Sequence, residues 1–147
     1  SSTIIRKFVA QGDMENVFRF LGRPYSITGE VLDGKRVGRK IGFPTANLVP
    51  EDYLIMPRNG VYITKTLYNG ELYNSLTNVG RNPTFGSGGK TSVETHILDF
   101  DQDIYKSSIE VFFLKKLRDE KKFKKADELA EQISKDINAA RQYFGLV

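Results

Sequence analysis

The residues best placed to do chemistry lie in two stretches, Gly38-Arg39-Lys40-Ile41-Gly42-Phe43-Pro44-Thr45-Ala46-Asn47 and Ser92-Val93-Glu94-Thr95-His96-Ile97-Leu98. Pro44 disfavours helix at Phe43, so the first stretch is expected to be extended, and an extended chain turns Thr45 and Asn47 to the same side. A hydroxyl and an amide carbonyl then converge. Both are hard oxygen donors of the kind Mg²⁺ accepts, and magnesium in phosphoryl-transfer sites takes only one or two protein ligands, the rest being phosphate and water. Lys35, Arg36, Arg39 and Lys40 could neutralise a polyphosphate beside them. Thr and Asn near a turn also make local caps and Asx turns, so the pattern by itself leaves a structural role open. No Walker A pattern is present.

In the second stretch, strand alternation puts Val93, Thr95 and Ile97 on one face and Glu94, His96 and Leu98 on the other. A carboxylate beside an imidazole on a partly apolar face could be a general base with a tuned pKa. It could equally be a solvent-facing pair on the outside of a sheet. His96 is the only histidine, which excludes a multi-histidine metal site. Asp99-Phe100-Asp101-Gln102-Asp103 resembles the opening of a calcium loop, but the required glycine and distal glutamate are misplaced, so a polar turn is expected. The mixed charge run from Lys115 to Lys122 reads as a solvated face, with Arg118 the one residue of further interest.

These residues need a scaffold, and from Tyr25 onward the chain runs in short β-branched and aromatic stretches. Asp33-Gly34, Pro57-Arg58-Asn59-Gly60, Asn69-Gly70 and Gly86-Ser87-Gly88-Gly89 separate them. Strands are expected at Ser26–Val31, Ala46–Leu48, Val61–Leu67, Leu72–Val79, Ser92–Leu98 and Ile109–Leu114. Asn69-Gly70 marks a tight hairpin, because a type I′ turn needs φ > 0 at both central residues. About six short antiparallel strands favour closure into a barrel, which removes exposed edges. Ahead of them, Ser2 and Thr3 can cap a helix stopped at Gly12, and Asp13 can cap a second, closed by Gly22. After the last strand, Leu129, Ile133, Ile137, Ala140 and Phe144 form the stripe of an amphipathic helix packed on the barrel, with Asp127 and Glu128 in its favoured first turn.

The length of 147 residues fits one domain with its own core. Cysteine is absent, which removes disulfide frameworks and thiolate metal sites and makes a cytoplasmic home the default. A net charge of +4, from 22 basic residues scattered among 18 acidic ones, suits nucleotide phosphates and makes no nucleic-acid-grade stripe. No apolar run approaches the roughly 20 residues of a membrane helix. Neither nucleic acid nor membrane is therefore expected as a partner, and a monomer is expected. On size, charge and aromatic content, a non-catalytic oligonucleotide-binding barrel stands beside an enzyme.

Five ordered blocks go further: Gly42-Phe43-Pro44-Thr45-Ala46-Asn47, Asn59-Gly60-Val61-Tyr62, Asn78-Val79-Gly80-Arg81-Asn82-Pro83-Thr84-Phe85, Val93-Glu94-Thr95-His96, and Phe113-Leu114-Lys115-Lys116-Leu117-Arg118. Their order and spacing resemble riboflavin kinase from about Gly22 to the C-terminus. The resemblance implies a mainly β fold, a six-stranded antiparallel Greek-key barrel with N-terminal short helices and a C-terminal amphipathic helix. It implies transfer of the γ-phosphoryl group of ATP, with Mg²⁺, onto the ribityl 5′-hydroxyl of riboflavin to give FMN, with a flavin-binding barrel that lacks turnover as the alternative. Thr45 and Asn47 would hold the magnesium and the nucleotide phosphates, Glu94 would be the general base, and Arg39 would contact phosphate from a clamp spanning Asp33 to Lys40. Arg118 and Phe123 would belong to the flavin side, and the loop from Arg81 to Thr91 would be a second flap. One departure is Lys106, where the family's Asp-Ile-Tyr turn continues with glycine; a non-glycine at a left-handed position costs about 1 kcal/mol or changes the turn. Ser1-Ser2-Thr3-Ile4-Ile5-Arg6 resembles the closing motif of the nucleotidyltransferase fold. Residues 1–21 are therefore expected to be a linker left from an FMN adenylyltransferase module, with the kinase domain at 22–147, as in bifunctional FAD synthetases.

Overall fold

A computed structural model describes residues 2–32, 42–51, 53–81 and 91–146. Among the described residues the strands are β1 (Tyr25–Leu32), β2 (Ala46–Val49), β3 (Gly60–Tyr68), β4 (Glu71–Arg81), β5 (Thr91–Ile97) and β6 (Ser108–Arg118). The helices are α1 (Ser2–Gln11) and α2 (Met14–Leu21) ahead of the strands and α3 (Ala126–Tyr143) after them. Each expected strand is present, most of them a residue or more longer than its β-branched run. Ser2 is the first helical residue of α1 and so does not cap it.

The strands close into an antiparallel barrel in the order β1-β2-β5-β4-β3-β6. Strands β3, β4 and β5 follow one another as neighbours and β6 returns beside β3, which is the Greek-key arrangement. The β3–β4 hairpin turns at Asn69 (φ 51°) and Gly70 (φ 80°), the two positive angles a type I′ turn requires. Lys106 adopts φ 68°, so the chain keeps a left-handed turn there despite the side chain. Two backbone bonds hold that turn, Lys106 N–H donating to the Val31 carbonyl (2.9 Å) and Ser107 N–H to that of Ile104 (2.9 Å).

Alternation decides what fills the barrel. Ile27, Val31, Leu48, Tyr62, Val79, Val93, Val111 and Phe113 are buried in one core, and the Tyr62 and Phe113 rings meet edge to face at 5.2 Å. Aromatic pairs of this geometry add about 0.5–1.5 kcal/mol beyond the area they bury. Five buried hydroxyls cross the interior as a chain, Thr66–Ser75–Thr64–Thr77–Thr95, with oxygen separations of 2.7–2.9 Å. Each hydroxyl left unpaired in such a place would cost about 1–3 kcal/mol, so the chain fixes the pairing of β3, β4 and β5.

The N-terminal helices belong to the same core through Val9, Met14 and Val17. Asp13 caps α2 by accepting from the Asn16 backbone N–H (3.2 Å). Gly12, between the two helices, allows a close approach: a Cβ there would stand 2.7 Å from the Tyr62 hydroxyl. Helix α3 packs elsewhere, on the outer face of the barrel, where Ile137, Ala140 and Phe144 meet Val61, Ile63, Leu76 and Leu98. No described helix is long and apolar enough to cross a membrane.

Candidate active site

Only the C-terminal half of the α3 stripe packs as expected. Leu129 and Ile133, nearer its start, stand off from the barrel and line a cleft of about 220 Å³ between the helix and the outer wall. Leu76, Asn78, Glu94 and His96 form its floor, and Arg118, Lys121 and Phe123 close one side. Phe43 and Thr45 enter from the segment leading into β2.

Glu94 is the centre of this arrangement. It pairs in register with Asn47 of β2 on one side and Asn78 of β4 on the other, which puts three polar side chains in a row on the outer face. Its neighbours Val93 and Thr95 point inward to the core. Glu94 is half-buried, and burial pushes its carboxyl above the ordinary carboxylate range. The outer wall is therefore partly covered at Glu94, with His96 part-exposed at its edge.

His96 has a defined task. Its Nδ1 lies 2.7 Å from the Pro44 carbonyl oxygen, which can only accept, so Nδ1 carries the proton. The Phe43 ring meets the imidazole edge-on at 6.1 Å. Together these contacts pin the Phe43-Pro44-Thr45 segment against β5, beside Glu94.

Thr45, just ahead of β2, and Asn47, within it, open onto different spaces. Thr45 is exposed at the cleft with Glu94, whereas Asn47, 5% exposed, borders an adjoining cavity of about 380 Å³ with Leu32, Val49, Leu54, Met56 and Ser92. The site thus straddles the β2–β5 pair. On the β2 side of Glu94, a threonine hydroxyl and an asparagine carbonyl are hard oxygen donors of the kind a small hard cation accepts when phosphate and water are its other ligands. Among the described residues no group of three or more acidic, histidine or cysteine side chains could hold a metal unaided.

Arg118 and Phe123, which the resemblance assigns to the flavin side, both line the cleft. Phe123 is half-buried, with the Lys121 ammonium 5.9 Å from its ring centre. Arg118 has an unexpected partner: its Nε and Nη2 donate to the Asp136 carboxylate at 2.8–3.1 Å, and its Nη1 to the Asp119 carbonyl at 3.1 Å. Asp136 sits on the apolar stripe of α3, one position before Ile137, and that misplaced carboxylate was the available signal. Arg39, with Lys35, Arg36 and Lys40, lies outside the described residues, as does the loop from 82 to 90.

Residues 21–144 match the family model described as "Flavokinase: Riboflavin kinase". The chain belongs to the riboflavin kinase family. It is 42% identical over 146 residues to the bifunctional riboflavin kinase/FMN adenylyltransferase of Bacillus subtilis, covering 98% of this chain and 46% of that protein. The chain spans about half the length of the curated relatives it matches. A crystal structure titled macrolide-efflux protein, from Streptococcus pneumoniae, superposes with a TM-score of 0.90 at 38% identity, over 96% of this chain and 46% of that one. The riboflavin kinase of Trypanosoma brucei, at 20% identity and a TM-score of 0.57, covers 84% of this chain and 81% of its own and shares the fold.

Proposed function

We propose that this chain transfers the γ-phosphoryl group of ATP to the terminal ribityl hydroxyl of riboflavin, giving FMN and ADP. The observation that carries the reading is Glu94: a desolvated carboxyl on the floor of an apolar-walled cleft, in strand register with Asn47 and beside Thr45. Leu76, Leu129, Ile133 and Phe123 give that cleft apolar surfaces suited to a flat aromatic ring, and Glu94 would meet the polar ribityl tail.

In this mechanism the ribityl oxygen forms a bond to the γ-phosphorus as the bond from that phosphorus to the β–γ bridging oxygen breaks. Glu94 accepts the hydroxyl proton, and ADP leaves. A raised pKa brings the carboxylate nearer the working pH, where a base is most effective. Thr45 and Asn47 would hold magnesium, which neutralises phosphate charge and orients the transferring group when bound. Arg39 would contact phosphate, and Arg118 and Phe123 would meet the flavin. Holding two reactants in line supplies most of the rate in reactions with a loose transition state. His96 maintains the site by keeping Thr45 beside Glu94.

Residues 1–21 would be the linker from a preceding FMN adenylyltransferase module, and 22–147 the kinase domain. Incubation with riboflavin, ATP and Mg²⁺ should yield FMN on chromatography. Recovery of riboflavin unchanged by a folded protein would reject the reading.

A further inference from the structure

We infer that Asp136 is a positioning residue that aims the Arg118 guanidinium at the flavin; this rests on reading the cleft as the flavin site. Asp136 is 5% exposed and lies on the stripe of α3 that otherwise carries Leu129, Ile133 and Ala140. It accepts from Arg118 Nε (3.0 and 3.1 Å) and Nη2 (2.8 Å), and from Gln132 Nε2 (3.0 Å). A carboxylate so placed is costly unless paired, and well-packed apolar groups usually stabilise as much or more. Stability alone therefore gives no reason for an ion pair here.

The donor inventory supplies one. Arg118 has five N–H groups in a rigid plane. Nε–H and one Nη2–H serve Asp136, and one Nη1–H serves the Asp119 carbonyl. One N–H on each Nη is left without a protein acceptor among the described residues. Because the plane is rigid, fixing its Nε edge from α3 also fixes these two donors at the side of the cleft. Gln132, one turn earlier on the helix, holds the carboxylate itself. Helix α3 thus contributes both an apolar wall, through Leu129 and Ile133, and the aim of the arginine opposite.

The test compares Asp136→Asn, Arg118→Met and the double variant. Riboflavin affinity is read from quenching of flavin fluorescence, Mg·ATP affinity from calorimetry, and folding from thermal unfolding. Asp136→Asn should weaken riboflavin binding about ten-fold, the scale of a hydrogen bond to a charged group, with ATP affinity kept. Arg118→Met should weaken it at least as much, and the double variant no further than Arg118→Met alone, because the residues act as one unit. Should Asp136→Asn fail to fold, Asp136→Glu carries the same comparison, since it keeps the charge and shifts the carboxylate by one methylene. Parent-like riboflavin binding by the Asp136 variant, when Arg118→Met has lost it, would overturn the inference. Equal loss of riboflavin and ATP binding would also overturn it, reducing Asp136 to a structural tie. Parent-like binding by Arg118→Met would remove Arg118 from the flavin side and the inference with it. A parent protein that binds no riboflavin would reject the cleft assignment itself.

Discussion

Glu94 carries two opposing consequences of one environment. Replacing it by Gln keeps the shape and removes the base, so kcat should fall roughly 10²–10⁴-fold with riboflavin affinity little changed. Steady-state kinetics on the folded variant would check this, and near-normal turnover would take Glu94 out of the mechanism. The same substitution should raise stability at neutral pH. Burial lifts the folded-state pKa of Glu94 above its ordinary 4.5, so folding favours the protonated form. That contribution is fully present below the ordinary value and is lost as pH rises through the folded one. Glu94→Gln should therefore unfold at a higher temperature than the parent near pH 7, with the gap closing at lower pH. Thermal melts across pH would show it, and a constant gap would contradict it. Replacing Thr45 or Asn47 by Ala should weaken Mg²⁺-dependent ATP binding and spare flavin binding, as calorimetry with each ligand would report. At this scale the sequence was readable where the logic was local. Alternation placed Glu94 and His96 together. The bonds from His96 to Pro44 and from Arg118 to Asp136 join residues far apart in the chain, and no spacing rule announces them.

Among the elements, the hairpin at Asn69-Gly70 and the six β-branched runs were legible because turn chemistry and period-two patterning are local properties. The pairing of β2 with β5 and of β6 with both β1 and β3 was not, since it depends on closure of the whole sheet. Helix α3 shows the limit well. Its apolar stripe marked the buried face, but the stripe does not reveal that Leu129 and Ile133 border a cleft while Ala140 meets the barrel directly. Lys106 offers an element-scale test. A branched Cβ is poorly tolerated at positive φ, so Lys106→Val should destabilise the protein by about 1 kcal/mol, measured by denaturant unfolding. An unchanged midpoint would mean that the turn relaxes to another shape at no cost.

For the molecule as a whole, one closed barrel carries the proposed site on the outside of its wall, and the helix that follows the last strand supplies the cover. The hydroxyl chain inside the barrel and the apolar contacts of α1 and α2 keep that wall rigid, so the row Asn47–Glu94–Asn78 is held by backbone register. The 147 residues contain His96 as their only histidine. Adenylyl transfer in the nucleotidyltransferase family resembles chemistry that uses a histidine pair, so these residues should form no FAD from FMN and ATP. The most direct test of the central claim follows the phosphorus: ATP labelled at its γ-phosphoryl group is mixed with riboflavin, Mg²⁺ and the protein, and the flavins are separated. The account predicts label in FMN in step with ADP formation, and its loss in Glu94→Gln. Label released only as inorganic phosphate, with riboflavin recovered unlabelled, would contradict it.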